Sequence, residues 1–192
     1  ILAAITSVTY FISCNNKKSS PATADTGDSL KKVIERGEYI ANRVAVCIDC
    51  HSKRDTSRFS MPVIPGTEGG GAGYVFTKAE AVPGEVAAPN ITPYALKDWT
   101  DEEIIRAITG GINKKGDTLF PIMPYPHYSR LAKDDILAVV AYLRTLKPIE
   151  GTVPQRKFFI PASMFGPLPA GNLEQNKRPD PSDKVKYGEY VI

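Results

Sequence analysis

The stretch "VAVCIDCHSKRD" constrains this chain more than any other. Cys47, Cys50 and His51 form C-x-x-C-H, the attachment sequence for a c-type haem. The spacing follows from the chemistry. Each thiol adds across one vinyl group of the porphyrin, and the adjacent imidazole comes up under the iron. Other readings need more than the chain offers. A structural zinc site takes four nitrogen or sulfur ligands. Outside the motif only Cys14 and His127 remain, and Cys14 stands in an apolar leader. A thioredoxin-like pair needs a βαβ context, and no such pattern surrounds Cys47.

The 192 residues are 42% hydrophobic and 23% charged, a composition for a globular domain with room for a linker. The net charge of +3 is small and no basic stripe stands out, which argues against nucleic acid as a partner. The N-terminus, "ILAAITSVTYFISC", is uncharged for thirteen residues and then reaches Cys14. It is short for a membrane span and has the character of an export signal. "FISC" resembles a lipoprotein cleavage box, so residues 1–14 are expected to be a signal with Cys14 lipidated, and residues 15–28 a polar tether.

The remainder predicts helices and loops, an all-α fold. "DSLKKVIERGEYIANRVAV" sets Val33, Gly37, Ile40 and Ala41 on one face, with Gly37 permitting close approach of another helix. "TDEEIIRAITGG" opens with a capping box from Thr100 to Glu103 and closes at Gly110 and Gly111. "KDDILAVVAYLRTLKP" repeats Ile136, Val139, Val140, Leu143 and Leu146 at helical spacing, and Pro148 follows. Ala132 stands at its N-cap, a poor capping residue. The intervening Gly/Pro-rich loop insertion includes "YVFT" and "GEVAA", which can pair as a small hairpin.

An iron held by His51 needs a sixth ligand or an open site. Met61, Met123, Met164 and His127 are the candidates. Met123 lies in "LFPIMPYPHY", where Pro121, Pro124 and Pro126 restrict the backbone. Met61 is only ten residues past His51, and Met164 lies beyond the last long helix.

The segments "RGEYIANRVAVCIDCHSKRD", "PGTEGGG", "NITPY", "WTDEEIIRAITGGI", "FPIMPY" and "AYLRTLKP" together resemble a class I cytochrome c. More narrowly they resemble bacterial di-haem cytochromes c, including the cytochrome subunits of membrane-bound alcohol and sugar-acid dehydrogenases. The resemblance implies His51 and Met123 as axial ligands. It implies a first helix packed on the last, with Gly37 and Tyr39 near Tyr142 and Leu143. It offers Trp99 and Asn90 for polar contacts at the haem edge. Met61, in "FSMP", departs from the small residue the pattern leads one to expect.

"KYGEYVI" at the C-terminus repeats "ERGEYIA" at residues 35–41, with Gly188 matching Gly37. The expected organisation is a haem domain over 29–148, a linker over 149–184 and the start of a truncated second haem domain over 185–192. One haem c is expected on this chain and a second in a full-length protein. The function this implies is single-electron transfer on the periplasmic side of a bacterial membrane, without substrate catalysis. Partners would be a dehydrogenase donor, a cytochrome or oxidase acceptor, and the membrane through the lipid. A di-haem peroxidase-like enzyme or a ligand-sensing haem module is the alternative.

Overall fold

The computed structural model describes residues 26–71, 75–169 and 172–191. Cys14, the leader and most of the expected tether lie outside them.

Helix α1, Thr26–Tyr39, runs into a π turn over Ile40–Val44. The short α2, Cys47–Cys50, follows. Helices α3, Pro93–Leu96, and α4, Asp101–Gly110, come after the Gly/Pro-rich loop. Then come α5, Tyr125–Tyr128, and α6, Lys133–Thr145. The core lies where α6 meets α1, α4 and the π turn. Ile40, Ala41, Ile104, Ile136, Val140 and Leu143 are among its buried members.

The main helix contact is α1 against α6, and Gly37 makes it possible. A Cβ there would lie 1.9 Å from the Ala138 carbonyl oxygen and 2.9 Å from Tyr142 Cβ. Only a residue without a side chain lets the two backbones approach so closely. Asn42 Nδ2 donates to the Tyr142 hydroxyl at 3.1 Å. Tyr39 is largely exposed, with the Arg36 guanidinium over its ring at 5.3 Å. In α4 the Thr100 hydroxyl accepts from Glu103 N, while the Glu103 carboxylate accepts from Thr100 N. Gly111 caps its end in the left-handed region at φ 67°.

The expectation of an all-α fold is overturned by a three-stranded antiparallel sheet, β1-β2-β3. Strand β1 is Val75–Phe76, β2 is Gly84–Ala87 and β3 is Lys157–Phe158. Strands β1 and β2 pair Val75 with Ala87 and Phe76 with Val86, inside the segments "YVFT" and "GEVAA". The third strand comes from the stretch 149–184 and pairs Gly84 with Phe158 and Glu85 with Lys157. Strands β1 and β3, of two residues each, are too short to show alternation, so tertiary pairing creates this sheet.

The rest of 149–184 is tied back to the helices. Asn90 Nδ2 donates to Ile149 O at 2.7 Å, and Asn176 Nδ2 donates to Ser129 O and Leu131 O. Helix α7, Lys184–Val191, then docks at the start of α6. Its Tyr190 hydroxyl accepts from Ala132 N at 2.9 Å and donates to Asp135 at 2.6 Å. That hydroxyl satisfies the N–H of the N-cap residue Ala132 itself, at a helix start with no side-chain cap.

Candidate functional site

The π turn and one strained residue deliver the chain into the C-x-x-C-H. Ala45 N donates to Ile40 O at 2.8 Å, five residues back, which widens the last turn. Val46 then takes φ 46°, ψ 35°, a left-handed conformation that is rare for a β-branched residue. The chain reverses there and α2 begins. Cys47 and Cys50, three apart on one helical turn, share a face. Cys47 is half-buried against the core, Cys50 is exposed, and both are free thiols. Burial pushes the Cys47 thiol up to about 12. Burial, then the Asp49 charge, raises Cys50 as well. Both shifts run opposite to the depressed values on which a redox-active C-x-x-C depends.

His51 closes the motif and is buried. Its Nδ1 lies 2.7 Å from the Pro89 carbonyl oxygen. A carbonyl only accepts, so Nδ1 carries the proton and the neutral ring presents Nε2 with its lone pair free for a metal. Burial lowers the imidazole pKa, and the Pro89 hydrogen bond opposes this in part. The loop after the motif is fastened to it. Gly71 N donates to His51 O at 2.8 Å, and Gly69 N donates to the Ser52 hydroxyl at 3.0 Å. That hydroxyl in turn donates to Ile48 O. Sequence reasoning places the glycines only within a Gly/Pro-rich loop and overlooks Pro89 and Ser52. A carbonyl partner 38 residues away leaves no mark in composition or spacing.

The four candidates for a sixth ligand are not equivalent in the fold. Met61 is 49% exposed in the left-handed region at φ 41°, and Met164 is 65% exposed. His127 is exposed on α5. Met123 alone among the three methionines packs on the hydrophobic core, as Cys47 and Trp99 do. Its N–H donates to Phe120 O at 3.3 Å and its carbonyl accepts from Tyr125 N at 2.8 Å. Tyr128, in the next turn, donates its hydroxyl to Ala45 O at 2.6 Å, two residues before Cys47. Met-loop and haem motif are thereby fixed to one frame.

Asn90 is buried and bonded to Thr92 and Ile149. Its Oδ1 accepts from Thr92 N and the Thr92 hydroxyl while Nδ2 holds Ile149 O. Among the described residues no group of three or more His, Cys, Asp or Glu side chains could hold a metal ion. Among those residues the motif thiols do not meet the extra donors of a zinc site.

No family model matches the chain. It is 30% identical over 198 residues to the cytochrome c subunit of a quinone alcohol dehydrogenase from Gluconacetobacter polyoxogenes. The corresponding subunit of Gluconobacter oxydans (strain 621H) is 33% identical over 149 residues. The chain is homologous to these cytochrome c subunits. The alignments cover 96% and 76% of this cytochrome c homologue but 39% and 28% of the relatives, so it spans well under half their length. The gluconate 2-dehydrogenase cytochrome c subunit of Pantoea cypripedii is a further relative, 30% identical over 141 residues. That match takes in 71% of this chain and 28% of the relative.

Proposed function

We propose that the chain is an electron-carrying c-type cytochrome domain, with haem c bound through Cys47 and Cys50 and ligated by His51 and Met123. The observation that carries the reading is the His51 ring, buried within C-x-x-C-H and oriented by the Pro89 carbonyl 2.7 Å from Nδ1. That arrangement fits an iron porphyrin, since it presents a neutral Nε2 donor beside two free thiols on one face. Each thiol would add its sulfur to one vinyl carbon and its hydrogen to the other, so nothing leaves and no oxidant is consumed. The bound group supplies reversible one-electron chemistry at iron, with thioether ligation favouring the reduced state and raising the potential.

The protein's share is to hold, orient and shield. Pro89 fixes the imidazole. Tyr128 ties the Met123 side of the site to the chain entering Cys47. The core residues bordering Cys47, Trp99 and Met123 keep water out. Filling both axial positions leaves no place for a substrate, which favours electron transfer over a peroxidase or a gas sensor.

The relatives are named as cytochrome c subunits of alcohol and gluconate dehydrogenases, which supports a dehydrogenase as the donor class, and we take a cytochrome or oxidase as the acceptor. We also take the working protein to act outside the cytoplasm, where haem is attached, and to be tethered through Cys14; the apolar leader ending at Cys14 supports the tether. Among the described residues no helix is long and apolar enough to cross a membrane. Helix α7 carries "GEY" at residues 188–190 as α1 does at residues 37–39, and we read it as the opening of a second copy of the domain.

The test is Met123→Leu in the haem-loaded chain. Haem content by pyridine haemochrome stays at one, because Cys47 and Cys50 are untouched. The weak sulfur-to-iron band at the near-infrared edge disappears, the potential falls and ferrous carbon monoxide binding becomes fast. His127→Ala does none of these. The opposite pattern assigns the ligand to His127, and fast carbon monoxide binding by the unaltered protein favours the enzyme or sensor reading.

A further inference from the structure

The loop that carries Met123 is gripped by a segment that follows α6. Phe120, three residues before Met123, accepts the Met123 N–H through its carbonyl. Its ring stacks on Phe158 with centroids 5.2 Å apart and planes 29° apart. It meets Phe165 edge-on, again at 5.2 Å, and Phe158 and Phe165 contact each other at 4.8 Å. Phe165 is buried. Beside this triad, Arg156 Nη1 donates to Thr118 O at 2.6 Å, and Nη2 lies 3.2 Å from the Asp117 carboxylate. Residues 117, 118 and 120 are thus all held by residues 156–165.

The segment is itself seated firmly. It forms β3, and Phe159 N donates to Pro83 O at 2.9 Å. A Cβ on Gly84 would come within 2.0 Å of the Lys157 carbonyl oxygen, so β3 lies against bare backbone.

We propose that Phe158, Phe165 and Arg156 are positioning residues that hold the loop so that the Met123 sulfur stays at its ligating place. This rests on Met123 being the sixth ligand. The physical reason lies in the loop. Pro121 and Pro124 fix φ within it but not its placement as a body. The loop joins α4 to α5 through turns and one isolated bridge, Ile112 to Thr118. A large ring at Phe120 lodged between two others supplies the missing reference point. Each aromatic pair shifts a conformational equilibrium by about two- to twelvefold. Loss of Phe158 removes the stacked pair that joins Phe120 to the segment, and so raises the fraction of open loop by about two- to twelvefold.

The experiment compares haem-loaded Phe158→Ala, Arg156→Ala, Met123→Leu and the double variant Phe158→Ala/Met123→Leu with the unaltered chain. The probe is carbon monoxide mixed with the ferrous protein, read alongside the near-infrared band and the midpoint potential. Phe158→Ala keeps one haem per chain, weakens the band and speeds carbon monoxide binding by more than twofold and up to about twelvefold. Arg156→Ala acts in the same direction, and Phe158→Leu recovers part of the effect. The double variant matches Met123→Leu alone, because a positioning residue has nothing left to position. Two controls separate the possible failures. If Met123→Leu leaves band and rate unchanged, the ligand assignment falls. If Met123→Leu changes both but Phe158→Ala and Arg156→Ala stay within twofold of the parent, the positioning role falls alone. If Asp135→Asn, on α6 away from the triad, speeds binding equally, the effect is general loosening and the proposal is refuted. Should Phe158→Ala not fold, Arg156→Ala and Phe158→Leu decide between the same outcomes.

Discussion

Asp135→Asn disturbs a charge site that ties three separate parts of the chain together. The Asp135 side chain is fully buried. One carboxylate oxygen accepts from Arg36 Nε at 2.8 Å and Arg178 Nη1 at 2.7 Å. The other accepts from Arg36 Nη2 at 2.7 Å and the Tyr190 hydroxyl at 2.6 Å. An amide has one acceptor oxygen, so its NH2 must face two of these four donors. Breaking a buried ion pair from one side costs about 3–5 kcal/mol. Arg36 keeps 22% and Arg178 40% of its side-chain exposure, so both can partly rehydrate. The loss therefore falls near the lower limit, about 3 kcal/mol. In a chain of 192 residues that corresponds to a drop in Tm of about 6–12 °C.

The pH dependence has a definite sign. Burial acts to raise the Asp135 pKa, but the hydrogen bonds from Arg36 and Tyr190 and the charges of Arg36 and Arg178 outweigh it. The folded value lies below the ordinary one. A depressed carboxylate contributes stability that is complete above its unfolded pKa, about 3.9, and is lost as pH falls through the folded value. Thermal unfolding followed by far-ultraviolet circular dichroism from pH 7 to pH 3 measures both effects. The gap between parent and variant is constant down to about pH 5 and narrows below about 4. A gap under 2 °C at pH 7, or one that persists unchanged at pH 3, refutes the reasoning.

Gly37→Ala forces α1 and α6 apart and lowers stability by about 1–3 kcal/mol even after the gain in helix propensity. Gly188→Ala, at the matching place in the repeat, meets nothing within 4 Å among the described residues, so it is neutral or stabilising by up to about 1 kcal/mol. Chemical denaturation of both variants checks the contrast, and equal losses refute it. Tyr190→Phe strips a partner from both Ala132 N and Asp135 and costs about 1–3 kcal/mol, read as a lower urea midpoint with an unchanged slope.

Much of the site was legible because its signals are local. C-x-x-C-H places two thiols and an imidazole within five residues, the Thr100–Glu103 box lies within four, and α6 shows its buried face by period alone. Gly37 could be read as a point of close approach, since a glycine inside an apolar helical face has few other uses. What the tertiary structure decided are contacts between residues far apart in the chain. The Pro89 carbonyl that orients His51 is a backbone group, and any residue at that position carries one. Strand β3 lies among prolines and glycines in two residues, which is why an all-α reading failed. Phe120, Phe158 and Phe165 are ordinary apolar residues until the chain folds and the rings meet. Arg36 and Asp135, 99 residues apart, look in sequence like two surface charges near helix ends. A local pattern is set by the geometry of one helix turn, whereas a distant pairing is selected only by the free energy of the whole packed core.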